Sequence, residues 1–406
     1  MNQKFLIYFT LTAAPLYLLK FSFFEIPFNL LEMLLILNIA IWILEIKKQS
    51  SKKISSTLPW QIIISIGLIL FGTIISIATN NAAIAGLGIL KSWFVLPLIF
   101  AYITYDTTEN INELNHSLLS IYFSTSLVSI IAMTYKALSF VTYDDRLSAF
   151  YSSPNYLALY LAPGILLGCY FLRIAFIKNL SLIIKLLIVL SLVISLIVFY
   201  CTYSYAGWLA IILSLVITAF IYFPRKQFLM SFVCLSFLFL TIFFSQVNSQ
   251  KFSNLLHFSE RSSLSSRIMI WKASEKMLAK NYVFGIGPGN FQAKYLALQP
   301  SFPPYLEWAV PQPHNLFLAF WLQTGLFGLI GFLFLISFIF YQLTRTNHAD
   351  VFLRALLFSF FLSVLFYGII DTPFWKNDLA FIFWSVVGIF AAYLKFSSEK
   401  NSKKHI

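Results

Sequence analysis

Apolar residues in this chain run in blocks rather than alternating with polar ones. A membrane-spanning helix needs roughly 20 mostly apolar residues. Twelve runs of that kind occur, at about residues 5–21, 28–46, 59–78, 88–105, 114–135, 155–172, 181–200, 206–223, 227–246, 315–343, 351–370 and 379–396. The pattern predicts an all-α, polytopic membrane protein of about twelve spans. One long hydrophilic stretch, 247–314, interrupts it. The chain therefore divides into spans one to nine (1–246), a large loop (247–314), spans ten to twelve (315–396) and a polar tail (397–406). The first run follows Lys4 and has the length of a cleavable leader, but Ala13-Ala14 is followed by Pro15 and by further spans. A retained first helix is expected.

Composition narrows the class. Of 406 residues, 59% are hydrophobic and 11% charged, and the mean hydropathy is +0.82. A soluble domain carries about 25% charged residues, and disorder requires low hydrophobicity, so both are excluded. The net charge of +13 does not point to nucleic acid, because the basic residues are scattered over the ends of the runs. There they set topology. With the N-terminus inside, the cytoplasmic segments hold Lys4, Lys47, Lys48, Lys52, Lys53, Arg173, Lys178, Arg225, Lys226, Arg345, Arg354, Lys395, Lys400, Lys403 and Lys404. The short outer segments hold Lys20, Lys136, Arg146 and Lys376. This bias places both termini in the cytoplasm and the 247–314 loop outside; long translocated loops escape the rule, so that loop's own lysines and arginines do not oppose it. Membrane lipids with anionic headgroups are expected partners for some of these cations. Cys169, Cys201 and Cys234 lie in or beside apolar runs and no CxxC spacing exists. Neither a disulfide nor a metal or other cofactor is expected.

Candidate chemistry gathers in and around the long loop, as it does in long ordered loops generally. Ser265-Ser266-Arg267 opens a helical pattern running to about Lys280. At 100° per residue, Ile270, Trp271, Ser274, Met277 and Leu278 share a face, while Lys272, Glu275, Lys276 and Lys280 spread over the other. Arg267 falls about 60° from Ile270, inside the apolar sector. It reads either as an anion ligand or as a snorkelling, structurally paired arginine. Gly285-Ile286-Gly287-Pro288-Gly289 is either a helix stop or a nest of backbone amides for an anion. Five prolines among residues 300–313 favour an extended lid. His314-Asn315 then opens the tenth span. A histidine at a helix N-terminus is disfavoured as imidazolium, which suits a general base that takes a proton from a hydroxyl; the alternative is a capping or interfacial histidine. Arg146 lies beside Asp144 and Asp145, which are its bland partners. Lys91, just inside the fourth span, is either functional or snorkels outward. Asp371, Lys376, Asn377 and Asp378 form the last outer turn.

Ordered motifs carry a resemblance. RLSAFYSSPNYLALYL (146–161), TYSYAGWLA (202–210), SRIMIWKASEKMLAKNYVFGIGPGNF (266–291), HNLFLAFWLQTGLFGLIGF (314–332) and DTPFWKNDLAFIFW (371–384) together resemble the O-antigen ligase/polymerase (Wzy-C) superfamily of integral membrane glycosyltransferases. The first 140 residues resemble it in hydropathy alone. The resemblance implies a GT-C-like bundle that transfers a glycan from a polyprenyl-diphosphate (undecaprenyl) donor to an acceptor hydroxyl. The transfer takes place without metal at the outer face of the bacterial cytoplasmic membrane. It implies His314 as base or acceptor-orienting residue, and Arg267 and Arg146 as diphosphate ligands. Trp271, Gly287, Asn315, Asp371 and Asp378 are further candidates. The family often has an arginine just after the Thr-x-Ser of TYSYAGWLA, where this chain has Tyr205. Lys91 and Arg261 are the candidates to fill that gap in charge.

Three acceptors fit the same donor chemistry: a lipid A–core sugar (ligase), a growing glycan (polymerase) and a protein hydroxyl (protein O-oligosaccharyltransferase). A transporter or flippase is the competing class. It calls for a midplane site with paired charges, whereas the sequence shows only isolated Glu32, Lys91 and Lys185 and no internal repeat.

Overall fold

The computed structural model describes residues 2–23, 26–48, 57–256, 262–302, 310–345 and 350–402. Its helices, in chain order, are α1 (Gln3–Thr12), α2 (Leu30–Lys48), α3 (Trp60–Thr79), α4 (Ala83–Ile89), α5 (Leu96–Thr107), α6 (Ile111–Ala137), α7 (Pro154–Ile177) and α8 (Leu182–Cys201). Then come α9 (Tyr205–Tyr222), α10 (Arg225–Gln246), α11 (Gln250–Leu256), α12 (Ser263–Lys280), α13 (Phe291–Leu298), α14 (Leu316–Arg345), α15 (Val351–Gly368) and α16 (Asn377–Ser402). Among the described residues, ten helices are long and apolar enough to cross a membrane, α4 and α5 counting as one through the π-helical segment Leu90–Val95. The protein is a multi-pass, all-α membrane protein.

Those ten helices coincide with the third to twelfth apolar runs. The first two runs behave differently. Pro15 has no amide to continue a helix, so α1 stops at ten residues and a 3-10 turn, Ala14–Leu18, follows. Ten residues rise about 15 Å, half a bilayer core. An antiparallel hairpin of β1 (Lys20–Phe23) and β2 (Ile26–Asn29) then leads into α2, whose 19 residues carry Glu32, Glu45, Lys47 and Lys48.

Nor are the ionisable groups of the spans isolated. Lys91 makes a 2.9 Å ion pair with the buried Glu32, donates to the Pro27 carbonyl at 2.9 Å and lies over the Phe28 ring. Lys185 donates to Asn179 Oδ1.

The tenth run is not one continuous helix. α14 breaks at Gly325, where φ is +68° and ψ −174°. The break frees backbone groups that must find partners in an apolar setting. The loop supplies them: Ile286 N donates to Leu322 O at 2.6 Å and Leu326 N donates to Val283 O at 2.8 Å. A Cβ at Gly325 would stand 2.6 Å from the Val283 oxygen, so glycine is required there. Below the break α14 packs closely on α3, with Gly72, Gly328 and Gly331 bringing the two backbones together. Residues 283–286 are therefore keyed into the span bundle.

Candidate functional site

α12 supplies the first part of the site. Ser262 caps it, accepting from Ser265 N. Its apolar face (Met269, Ile270, Ala273, Met277, Leu278) is buried with Ile286, Phe291, Tyr295 and Leu322, while Lys272, Glu275, Lys276 and Lys280 are exposed. Arg267, on the buried side, keeps 13% of its side-chain surface. Its Nε donates to Ile370 O at 2.8 Å and its Nη1 to Ser263 O at 3.3 Å, and Nη2 stands 3.6 Å from Asp371 Oδ2. One turn on, Trp271 Nε1 donates to the carbonyls of Pro313 and His314 at 3.1 and 3.3 Å. One helix thus grips both turns that carry the polar groups.

His314 adopts a left-handed conformation, φ +48°, unusual for a non-glycine residue. Backbone strain of this kind costs on the order of 1–3 kcal/mol and persists where surroundings enforce it. Here they do. Trp271 holds the His314 carbonyl, and Asn315 caps α14 by accepting from Leu318 N while its Nδ2 donates to Ile369 O at 2.9 Å. The imidazole Nδ1 lies 3.0 Å from Asp371 Oδ1. Asp371 is fully buried (2% side-chain exposure) and also accepts from Thr372 N. Burial opposes its ionisation, but His314, Arg267 and the Thr372 amide outweigh that and hold the carboxyl below the usual carboxylate range. His314 thus meets a carboxylate directly, a contact that its place before a helix N-terminus does not reveal. Asp371 joins the Arg267 and His314 side chains, and neither motif alone shows this.

The second part of the site is cationic. Arg146 Nε donates to Thr202 O at 2.8 Å and Nη2 to Asn155 Oδ1 at 2.6 Å, with Asp144 only 3.9 Å away. Burial lowers the proton affinity of Arg146 against the support of Asp144, and Arg267 adds to the lowering. Tyr367 ties the two parts together. Its hydroxyl shares a 2.7 Å bond with Ser204 and donates to Asn155 O at 3.5 Å, and its carbonyl accepts from Asp371 N at 2.9 Å. Sequence reasoning did not single out Asn155, Tyr367 or Lys251. Lys251, on α11, donates to Tyr203 O and sits 4.7 Å from the centre of the Tyr205 ring. Tyr205, in the position where an arginine is expected, carries its hydroxyl to Gln246 and Ser249 at the α10–α11 junction.

Other candidates lie apart from these contacts. Lys91, expected to replace the missing charge, is instead neutralised by Glu32. Arg261 lies outside the described residues, as does much of the proline-rich stretch. Gly287 belongs to a packing turn: its φ is +83°, and a Cβ there would meet Ala82 and Asn80 at 3.0 and 3.1 Å. Amides of that turn are spent on carbonyls (Gly285 N on Asn281, Ile286 N on Leu322, Asn290 N on Gly287), which weighs against an anion nest. Asp378 is buried and accepts from the Tyr151 hydroxyl at 3.2 Å, fixing the 146–153 segment to the start of α16. Lys376 is enclosed by rings, 3.9 Å from the centre of Tyr156 and 5.0 Å from that of Tyr151. Apolar clefts of about 510 and 530 Å³ open between spans, and neither is lined by His314, Arg267, Arg146 or Asp371.

Residues 190–333 match the family model described as O-antigen ligase, Wzy_C. The match takes in Lys251, Arg267, Trp271, Gly287, His314 and Asn315 and supports the family resemblance of the motifs. It does not reach Arg146 or Asp371. No curated protein matches the chain.

Proposed function

We propose that this multi-pass membrane protein, through its O-antigen ligase (Wzy_C) domain, transfers a glycan from a polyprenyl-diphosphate carrier to an acceptor hydroxyl. The observation that carries this reading is the shared carboxylate: Asp371 meets His314 Nδ1 at 3.0 Å and Arg267 Nη2 at 3.6 Å. A carboxylate on Nδ1 fixes the imidazole's orientation and tautomer and leaves Nε2 to accept a proton. His314 takes the acceptor hydroxyl's proton as the oxygen bonds to the anomeric carbon. The bond from that carbon to the diphosphate oxygen breaks, and the electron pair leaves with the lipid diphosphate. Arg267 and Arg146 hold that leaving group through charge-assisted hydrogen bonds, which tighten as its charge grows. Their permanent charge supplies the neutralisation that a divalent ion gives elsewhere. Attack opposite the leaving group inverts the anomeric carbon. The distribution of basic residues supports a site on the outer face of the bacterial cytoplasmic membrane, within residues 247–314 and the neighbouring turns, with both termini inside.

The test is transfer by the purified protein in nanodiscs, given an undecaprenyl-diphosphate oligosaccharide and, in turn, lipid A–core, free glycan and serine-bearing protein acceptors. Transfer that disappears in His314→Ala supports the reading, and the acceptor used separates ligase, polymerase and protein transferase. Undiminished transfer in that variant removes His314 from the mechanism. Movement of the carrier across vesicles with no transfer to any acceptor favours a flippase.

A further inference from the structure

Arg146 and Lys251 are anchored on neighbouring carbonyls of one turn, those of Thr202 and Tyr203. Adjacent residues are about 3.8 Å apart at Cα, so two cations from distant parts of the chain are brought close together. The turn is held by Tyr203 at φ +46° and by Leu147 N donating to Cys201 O. Among the described residues no carboxylate lies within ion-pair distance of Lys251; Asp144, 3.9 Å from Arg146, is the nearest compensation. Like charges crowded this way repel. We infer that Lys251 is a third ligand of the donor's diphosphate, closing with Arg146 on the phosphates from the Thr202–Tyr203 side; this rests on the reading of the site as a diphosphate site. The Tyr205 ring beneath the ammonium fixes the long side chain in place, so charge lost at position 205 returns from α11.

The electrostatics agree. Burial, then Arg146 and, more weakly, Arg267 lower the Lys251 ammonium to about 7, with Asp144 opposing them. The groups facing it are Arg146 and Asp144 from the 142–150 segment, Arg267 from α12, and the phenols of Tyr203 and Tyr205. An anion placed among these cations raises the lysine's proton affinity again. Above pH 7 the vacant site must therefore take up a proton to bind, and affinity falls as pH rises, by up to about tenfold per unit. Below pH 7 the ammonium is already present and this dependence vanishes.

The experiment measures binding of undecaprenyl diphosphate carrying one N-acetylglucosamine, a diester whose own charge is constant above pH 5, to the full chain in nanodiscs. Lys251→Gln can still donate to the Tyr203 carbonyl, so a purely structural lysine predicts unchanged affinity. A phosphate ligand predicts a loss of about ten- to a hundredfold. Lys251→Arg, charged at every pH, is expected to bind as wild type does at pH 7 and to be flat up to pH 9, and the double variant Y205R/K251Q to recover part of the loss. Equal affinities of wild type and Lys251→Gln, or a wild-type affinity independent of pH between 7 and 9, overturn the role of Lys251 and leave the transferase reading standing. No binding of the diphosphate lipid by wild type overturns both. If Lys251→Gln lowers the melting temperature, the wild-type pH series and Lys251→Arg decide alone.

Discussion

The His314–Asp371–Arg267 side and the Arg146–Lys251 side of the site share the frame formed by Tyr367 and Asn155 but differ in how charge is handled. On the first side a buried carboxylate stands between an imidazole and a guanidinium, 3.0 Å from one and 3.6 Å from the other. On the second, two cations lean on backbone carbonyls, and one carboxylate, Asp144, stands 3.9 Å from Arg146. A closed arrangement of the first kind orients a proton acceptor. An open excess of positive charge is suited to receiving an anion. The roles proposed here, acceptor activation at His314 and Asp371 and phosphate binding by Arg267, Arg146 and Lys251, follow from that contrast.

The sharpest way to break the contrast is to remove the proton acceptor. His314→Ala is expected to lower the transfer rate by about 10²–10⁴-fold with the melting temperature preserved, and Asp371→Asn to follow closely through loss of tautomer control. The pH dependence refines this. Asp371's proton affinity is lowered, so its contribution is complete above the usual value of 3.8 and is lost only as pH falls through the lower folded value. The Asp371 carboxyl is therefore expected to stay ionised from pH 7 to pH 5, so that the Asp371→Asn rate stays below the wild-type rate throughout that range. Next in size is Arg267→Lys, which gives up planar, bidentate geometry; about a ten- to hundredfold loss of kcat/KM is expected, with donor binding read separately. Gly325→Ala forces a strained backbone against the Val283 oxygen and is expected to destabilise the fold by about 1–3 kcal/mol, read by thermal unfolding. Smallest is Trp271→Phe, which removes the indole's grip on the 313–314 carbonyls and is expected to slow transfer about fivefold.

Hydropathy made the scaffold legible because membrane helices announce themselves by block length. Third to twelfth runs and helices agree at their ends within a few residues, and the inward position of Arg267 followed from helical angle alone. What a one-dimensional pattern hides is partnership. Nothing in the spacing of His314 and Asp371 says that they touch, and Glu32 and Lys91 looked solitary because each sits in a different helix. Lys251 read as one more loop cation, although Tyr205 in place of an arginine was a signal that charge had to come from elsewhere. The break in α14 is hidden because Gln323-Thr324-Gly325 interrupts a long apolar run only briefly and without proline, and the broken geometry is set by the 283–286 segment that fills it.

That filled break constrains how substrates can enter. Withdrawing residues 283–286 would strand the Leu322 oxygen and the Leu326 amide in a greasy interior, at several kcal/mol for each orphaned group. The glycine turn therefore acts as a pivot pin driven through α14, a fixed point rather than a flap. On the proposed reading, a segment that moves to admit a lipid-borne chain rotates about this point, and the short half-helix that follows His314 is rooted at the same pin.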